Sequence, residues 1–401
     1  MTAMPSAPEQ PSATSFHSPG EVLALISSGA ARTRADIARL TGLARSTVSS
    51  RVDALIAHGF VDEAAEGGST GGRPPRRLAL RTGGHTVAGV DLGASHCRVV
   101  LRDIGGAVLA VQEDPLSIAD GPDPVLRHVE RTLRALTEEA GRPPGTLRSI
   151  GVGVPGPVEF STGRPVDPPI MPGWHHYPIP DFFAARLGVR ALVDNDVNVM
   201  ALAEQRQAFP DCRFLLHIKV GTGIGCGIIA DGRLHRGAQG SAGDIGHIRV
   251  TERDEPCRCG NTGCLEAVAG GSALAAELSR LGRTAATGSD VVRLAQSGDR
   301  EAVRLVREAG RAVGEVLAGL VNFFNPDTVT VGGALAAAHD PLLAGLREVV
   351  YRRSHPLATR VLRIEPSRTQ QNAAALGAAI LATEHALSPA QVDRAVTTGR
   401  G

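Results

Sequence analysis

The sequence predicts an α/β protein in which a small N-terminal winged helix-turn-helix domain precedes a larger body of two related α/β lobes. Three observations support this prediction. Short helical runs and a basic hairpin occupy residues 20–81, a strand and glycine-loop pattern occurs twice within residues 85–390, and residues 240–270 concentrate histidine, cysteine and carboxylate side chains. A chain of 401 residues is long enough for two or three domains.

Composition describes a globular chain without a strong charge bias. Apolar residues make up 42%, charged residues 21%, and the formal net charge is +1. Any basic surface must therefore be local. Lys219 is the one lysine among 42 basic residues, a bias that a GC-rich genome alone could produce. The sequence shows no apolar run that could span a bilayer and no signal-peptide pattern, so we expect a cytoplasmic protein without membrane contact.

Both ends of the chain are predicted to carry little structure. Residues 1–19 are rich in Pro, Ser and Ala and cannot bury much apolar surface, which predicts a disordered tail. Residues 391–401 are assigned to a C-terminal tail that frays at its end. The folded domains are expected at residues 20–81 and 85–390.

Three short helical runs begin at residue 20. Thr33 and Asp36 form a capping box that opens the second run, and Gly42 ends it. In the third run one buried stripe is formed at i, i+4, i+7 and i+8 by Val48, Val52, Leu55 and Ile56. The opposite face carries short donors between two arginines, as in a recognition helix in a major groove: Arg45, Ser46, Thr47, Ser49, Ser50 and Arg51.

A basic hairpin follows these helices. The segments on either side of GGSTGG predict a two-stranded wing, in which Arg73 enters a minor groove while Arg76 and Arg77 contact phosphates. Helix-turn-helix spacing also arises by chance in small helical domains, and the arginines alone could form a solvated linker. The order helix, turn, helix, wing and basic tip favours a domain that binds a double-stranded DNA operator.

The body contains the same local plan twice. Residues 85–112 and 214–237 each read as a strand, a glycine loop, a strand, a tight turn and a strand. The loops DLGAS and GTGIG offer backbone amides without side-chain obstruction, as phosphate-binding loops do, and a third glycine turn follows the apolar strand DTVTV. Paired at matching positions of a repeat, the two loops predict two related lobes around a phosphate-binding cleft.

A β-branched strand in the first lobe ends in Asp194-Asn195-Asp196 and leads directly into a helix. Ligand-binding residues occupy such strand ends in α/β folds. Asp196 could therefore take a proton from a substrate hydroxyl in phosphoryl transfer. The alternative is that Asp196 only caps the helix, which its position also suits.

The segment 240–270 predicts a metal site. Cys257, Cys259, Cys264 and His247 offer three thiolates and one imidazole, the closed ligand set of a structural zinc. Free thiols and a disulfide are the alternatives, although a bridge between Cys257 and Cys259 would be sterically poor. Asp244 and Glu266 flank these residues, so a bound zinc would hold both carboxylates near one polar ligand; each is otherwise an exposed charge.

The chain resembles the ROK family of sugar-responsive repressors and sugar kinases. The motifs that carry the likeness, in the family's order, are GVDLGAS, GVGVPGPV, PPIMPGW, VDNDVN, GTGIGCG, GDIGH, CRCGNTGCLE and VTVGGAL. The resemblance covers about residues 20–385. It implies a two-lobed actin-like fold related to ribonuclease H, a structural zinc on His247 and the three cysteines, and a homodimer or homotetramer.

The resemblance also implies functional residues. A sugar would be held by Asn195, Asp196, Asp244, His247 and Glu266, with Asp196 as the base in kinase members. In those members Mg-ATP would use positions that are retained or vestigial here: Asp91, Gly93, Ser95, Gly221, Thr222, Gly223, Gly225, Gly332 and Gly333. Kinases of the family usually carry Glu at position 244 and Thr at position 95, and these two mild departures weaken the kinase interpretation.

Two functions follow from these features. The first is a transcriptional regulator, a repressor of sugar uptake or catabolism genes, whose DNA affinity is set by a sugar or sugar phosphate in the cleft between the lobes. The second is a glucokinase-like, ATP-dependent kinase of a hexose or amino sugar. The winged helix favours the regulator, since a purely metabolic kinase has no need of it. A role as an actin-like interaction scaffold is disfavoured by the intact sugar-binding set.

Overall fold

The computed structural model describes residues 18–65, 76–143, 145–338 and 340–398. Contacts divide the chain into two compact units. The first comprises the residues up to Thr86, Asp103–Ala107 and the residues from Thr383 onward; the second comprises Val87–Arg102 and Val108–Ala382. Within the described ranges no helix is both long enough and apolar enough to cross a membrane.

The first unit contains the predicted helix-turn-helix and wing. Its elements are α1 (Pro19–Ser27), α2 (Arg34–Thr41), α3 (Arg45–Ala57), β1 (Val61–Ala65) and β2 (Arg76–Leu80), and β1 pairs with β2 antiparallel. The capping box of Thr33 and Asp36 opens α2, and Gly42, at φ 72°, ends it in the left-handed conformation that glycine adopts without strain. The sequence prediction for these elements is confirmed.

Apolar side chains of all three helices meet in one core. Val48, Val52 and Leu55 are buried there as predicted, whereas Ile56 is half-buried at its edge. The same core contains Val392 of a further helix, Pro389–Thr398, which we call the C-terminal helix. Residues 391–398 are therefore helical where the sequence analysis predicted a tail, because Val392, Ala395 and Val396 form an apolar stripe at helical spacing. Pro19, also assigned to a tail, is the first residue of α1.

The first lobe of the second unit is built on a five-stranded sheet of order β5-β4-β3-β6-β9. Helix α4 presents Val125, Val129, Leu133 and Leu136 to its core, as its sequence period predicts. The elements in chain order are β3 (Thr86–Leu92), β4 (His96–Asp103), β5 (Val108–Pro115), α4 (Pro122–Glu139), β6 (Leu147–Val154), β7 (Val158–Glu159), β8 (Arg164–Pro165), α5 (Ile179–Leu187) and β9 (Arg190–Asn195).

Helix α6 (Asp196–Ala203) leaves the last strand of the first lobe and packs against two strands of the second, β10 (Leu215–Val220) and β11 (Ile224–Ala230). All eight of its residues are buried. A π-helical turn, Glu204–Ala208, follows it. The first residue of α6, Asp196, therefore lies where the two lobes meet.

The second lobe repeats the first. Its sheet has the order β12-β11-β10-β13-β14, and β13 and β14 run parallel as β6 and β9 do. This duplication confirms the predicted pair of lobes and is the actin-like, ribonuclease-H-related arrangement. The remaining elements are β12 (Arg233–His235), α7 (Leu265–Ala269), α8 (Gly271–Arg280), α9 (Gly288–Gln296), α10 (Arg300–Phe324), β13 (Thr328–Gly332), α11 (Asp340–Arg353), α12 (Pro356–Thr359), β14 (Arg363–Pro366) and α13 (Ala373–Ala386).

Candidate functional site

The end of β9 supplies the first part of the candidate sugar site. The Asn195 side chain caps α6 by accepting from the Val197 N–H at 2.9 Å, and its amide donates to the Gly156 carbonyl at 2.8 Å. Asn195, not Asp196, is therefore the N-cap, and the interpretation of Asp196 as a cap is wrong. Asp196 is the first helical residue, and its carboxylate is free to contact other groups.

The Asp196 carboxylate forms an ion pair with the ammonium of Lys219, near the end of β10. The side chains are 8% and 29% exposed, respectively. Burial lowers the pKa of Lys219, but the Asp196 carboxylate, aided by Asp91 and Glu266, outweighs burial and leaves that pKa raised. Lys219 therefore remains an ammonium. The sequence analysis did not assign it a role, although its being the one lysine was a usable signal.

The first glycine loop is covered by a histidine. His96 Nε2 lies 3.2 Å from Asp91 Oδ2, and this hydrogen bond raises the pKa of His96. A Cβ at Gly93 would lie 2.1 Å from the His96 ring, so only glycine permits this approach. Ser95 is exposed on the same loop. Asp91, the expected magnesium contact of kinase members, thus already has a protein partner that sequence analysis did not identify.

The second and third glycine turns lie side by side. Parallel pairing of β10 with β13 places Lys219 opposite Gly332, so the Gly221–Gly223 turn lies beside Gly332-Gly333. Thr222 is exposed in this turn, and Gly225 lies within β11. The structure thus brings together the second and third of the glycine turns that the resemblance assigns to nucleotide binding.

Glu266 reaches the second glycine turn from α7. Its carboxylate accepts from the Ile224 N–H at 3.3 Å. A Cβ at Gly223 would lie 2.2 Å from Glu266 Oε2, so the absence of a side chain at this position makes room for the carboxylate. Glu266 is therefore held at the mouth of the second loop, near Lys219. Asp244 is exposed before a short 3₁₀ turn and makes no capping hydrogen bond.

The predicted metal ligands form one cluster. Donor atoms of His247, Cys257, Cys259 and Cys264 all lie within 4.8 Å of one another. Cys257 Sγ is 3.6 Å from His247 Nδ1, and Cys259 Sγ is 3.7 Å from Cys264 Sγ. Gly260 and Gly263 have positive φ, which folds the loop back on itself. Three sulfurs and one imidazole nitrogen at this spacing could hold a metal ion, and all six cysteines are free thiols.

A second ion pair supports the β9 end. Asp194 is 2% exposed and accepts from Arg236 Nε at 2.7 Å, from Asn198 Nδ2 at 2.8 Å and from the Asn195 N–H at 2.8 Å. The Arg236 guanidinium lies 3.6 Å from the centre of the Phe160 ring. Asp194 and Arg236 thus fix the backbone that carries Asn195 and Asp196. Sequence analysis missed this role.

The predicted DNA-contacting face is partly open. Arg45, Ser46 and Ser50 are exposed on α3, whereas Thr47, Ser49 and Arg51 are half-buried. Arg34 fixes this helix by pairing with Asp53 at 2.7 Å and with Glu63 of the wing at 2.9 Å. Arg76 and Arg77 are exposed on β2. Arg73 lies outside the described residues.

Fold and sites together define an actin-like α/β protein with a winged helix-turn-helix unit. Residues 87–385 match the family model described as ROK family, and residues 20–64 match the IclR helix-turn-helix domain. The chain belongs to the ROK family.

Three similar proteins illustrate the range of the family. A xylose repressor from Caldicellulosiruptor bescii is 30% identical over 369 residues, covering 88% of this chain and 92% of the repressor. The crystal structure of a ROK family transcriptional regulator, a homologue of the E. coli MLC protein, matches with a TM-score of 0.80 at 25% identity, covering 95% of this chain and 98% of its own. A ROK family glucokinase from Streptomyces griseus, solved with glucose and AMPPNP, matches with a TM-score of 0.64 at 28% identity, covering 75% of this chain and 99% of its own.

Proposed function

We propose that this protein is a sugar-responsive transcriptional repressor that binds a double-stranded DNA operator. The observation that carries the proposal is the presence, in one chain, of a partly exposed recognition helix and the ROK sugar-site residues. Similarity to a xylose repressor over most of both chains supports it. Candidate effectors are pentoses, glucose and amino sugars, and the controlled genes would serve uptake or catabolism of the sugar. A cytoplasmic location accompanies this role.

The sugar would bind between the lobes. Asn195 ends β9 and Asp196 begins α6, whereas Glu266, Asp244 and His247 come from the second lobe. A sugar that binds one arrangement of the lobes more tightly shifts the equilibrium towards that arrangement. The size of the shift is set by the difference between its affinities for the two arrangements. In a dimer or tetramer, that shift would move two recognition helices out of half-site register and release the operator.

Zinc would organise this site from the side of the second lobe. The cluster of three thiol sulfurs and one imidazole is the donor set of a closed, structural zinc. Glu266 stands two residues after Cys264, and Asp244 stands three before His247. Holding the four ligands together therefore fixes the position of both carboxylates.

The second candidate is an ATP-dependent sugar kinase. Similarity to a glucokinase and the adjacent glycine turns favour it. The contacts of the two key carboxylates count against it, because Asp91 is paired with His96 and Asp196 with Lys219. Asp196 as base would have to exchange its ammonium partner for a substrate hydroxyl.

One titration separates the two functions. Fluorescence anisotropy of the protein on its own upstream DNA is measured against D-xylose, D-glucose and N-acetyl-D-glucosamine, with and without Mg-ATP, while ADP release is followed in parallel. Sugar-dependent loss of DNA binding without ADP release supports the repressor. Steady sugar-dependent ADP release supports the kinase. Absence of specific DNA binding contradicts the repressor, and Arg45→Ala with its exposed control Arg300→Ala shows whether the observed binding uses α3.

A further inference from the structure

Position 219 breaks an otherwise uniform use of arginine. Lys219 is the one lysine among 42 lysine and arginine residues, and it contacts the candidate base Asp196. A guanidinium would supply the same charge, but as a planar fork of five donors. An ammonium is compact and directs three N–H groups in different directions. An ammonium at position 219 therefore offers N–H directions that a guanidinium would not.

The ammonium has more donors than protein partners. Among the described residues the ammonium of Lys219 donates one hydrogen bond, to Asp196 Oδ2. The side chain is 29% exposed, so part of it is accessible to solvent. Asp91 and Glu266 lie near enough to act on its charge, but the described structure contains no hydrogen bond from Lys219 to either of them. Two donors thus remain for an oxygen that is not part of the protein.

We propose that Lys219 contacts the bound sugar and, with Asp196, recognises one of its hydroxyl groups from both sides. Asp196 accepts the hydrogen of that hydroxyl, while a free N–H of Lys219 donates to its oxygen. This contact rests on the proposed function, because it adds a residue to the same sugar site. A pair that reads one hydroxyl as donor and acceptor discriminates against a deoxy sugar, because without that oxygen one acceptor site of Asp196 and one N–H of Lys219 lose their ligand partner.

The surrounding charges favour an uncharged sugar at this position. Three carboxylates, Asp196, Asp91 and Glu266, act on the one ammonium, and the imidazole of His96 is itself paired with Asp91. A phosphate group beside Lys219 would therefore meet more negative than positive charge. The hydroxyl read by Asp196 and Lys219 is accordingly unphosphorylated.

A chain with one lysine permits a chemical substitution at that residue. Reductive methylation with formaldehyde and dimethylamine–borane modifies Lys219 and the N-terminal amine of the full chain and no other amine. Dimethylation keeps the positive charge and leaves one N–H, enough for the ion pair with Asp196 but not for a second acceptor. Lys219→Arg treated in the same way carries the modification at the N-terminus alone and is the matched control.

The readout is the sugar concentration that releases half of the protein from its operator, measured for D-xylose, D-glucose and N-acetyl-D-glucosamine. The proposal predicts that methylation raises this concentration roughly tenfold or more for the active sugar, without changing DNA affinity in its absence. Methylated and untreated Lys219→Arg proteins should have the same half-maximal sugar concentration. Lys219→Met, which removes charge and donors, should lose at least as much response as methylated wild-type protein.

The possible results separate this contact from the function on which it rests. An unchanged half-maximal concentration in methylated wild-type protein overturns the contact, while the sugar response itself upholds the repressor. Absence of any response in unmodified protein to all three sugars overturns the repressor and the contact together. Stronger release by glucose 6-phosphate than by D-glucose overturns the assignment of an unphosphorylated hydroxyl. Mass spectrometry of the tryptic peptides confirms that Lys219 is the modified side chain.

Discussion

The Asp393 carboxylate accepts a 2.7 Å hydrogen bond from the Gly20 N–H, 373 positions earlier in the chain. Gly20 lies in the first turn of α1, and a Cβ there would meet the Pro389 carbonyl oxygen at 2.3 Å. Both contacts lie within the unit that carries the recognition helix. The last helix of the chain is therefore a structural part of the DNA-binding unit.

We expect Val392→Ala to weaken DNA binding by destabilising this unit. Val392 is fully buried against the helix-turn-helix core, and truncation of such a side chain costs on the order of 1–3 kcal/mol. Gly20→Ala should have a similar effect, since overpacking against backbone costs about the same. Thermal melting and operator affinity are measured together, with the exposed Thr397→Ala as control. Unchanged operator affinity and melting in Val392→Ala would contradict this assignment.

A second prediction concerns the recognition helix. Arg45 and Ser50 are exposed on α3, and their replacement by alanine should each reduce operator affinity by about 1–3 kcal/mol if they contact bases. Arg73→Ala should weaken binding through the wing. Binding curves at several salt concentrations distinguish the contacts, because loss of a phosphate contact lowers the salt slope whereas loss of a base contact relaxes specificity. Wild-type operator affinity in all three variants would contradict the winged-helix interface.

Most of the fold could be predicted because local signals and burial agree. The Thr33–Asp36 capping box, the stripe beginning at Val48 and the duplicated glycine loops each identify an element that the structure contains. The C-terminal helix could not be recognised as easily. Its apolar stripe is short, and its partner helix α1 lies near the other end of the chain, so that only tertiary structure reveals the contact between the two helices.

The candidate site could be predicted residue by residue but not in its pairings. His247 and the three cysteines are close in sequence, so their spacing alone indicated a cluster. The ion pair Asp196–Lys219 joins the start of α6 to β10, and Asp194–Arg236 joins β9 to the residue after β12; the partners are 23 and 42 positions apart. No local period connects such partners, and a sequence gives no distance between them.

Loss of one cysteine ligand should remove both metal and sugar response. Cys259→Ser replaces a thiolate with a poor zinc ligand, so we expect bound zinc to fall from about one ion per chain to near zero. The sugar response should weaken with it, because Asp244 and Glu266 flank the metal ligands on either side. Cys212→Ala, which alters a buried thiol outside the cluster, is the control and should retain zinc. Bound zinc is measured by elemental analysis, and the sugar response is measured by release from the operator. Normal sugar sensitivity in a zinc-free Cys259→Ser protein would refute the coupling between zinc binding and the sugar response.

Replacing the paired carboxylate should separate sensing from DNA binding. In Asp196→Asn the side chain keeps its size but loses the negative charge that pairs with Lys219 and that would accept a hydroxyl hydrogen. A hydrogen bond to a charged group contributes about 1.5–3 kcal/mol. Operator affinity without sugar should remain at the wild-type value, while release by sugar shifts to concentrations at least roughly tenfold higher. The exposed Asp211→Asn is the control. Release of Asp196→Asn at wild-type sugar concentrations would exclude a contact between Asp196 and the sugar.

The last prediction concerns acid stability and His217. This side chain is fully buried, and its Nδ1 lies 2.9 Å from Thr330 Oγ1. Burial lowers the pKa of His217 to about 4, against the partial opposing effect of the Glu204 carboxylate, and Lys219 lowers it further. Because the ordinary pKa is 6.5, the unfolded chain binds this proton first as the pH falls. Protonation of His217 therefore does not lower the free energy of unfolding above about pH 6.5. Between pH 6.5 and pH 4 it lowers that free energy by at most about 1.4 kcal/mol per pH unit.

His217→Gln tests this pH dependence directly. The amide can keep the hydrogen bond to Thr330 but does not titrate, so the variant should be less stable than wild type at pH 7.5 and approach it at pH 5. Burial raises the pKa of Glu204, but His217 and hydrogen bonds from Ser367 and Thr369 together leave it lowered, so its contribution is lost only below its ordinary value of 4.5. Melting temperatures between pH 7.5 and 5 thus isolate the histidine. The exposed His235→Gln should retain the wild-type slope, and a His217→Gln slope equal to wild type would show that His217 does not determine acid sensitivity.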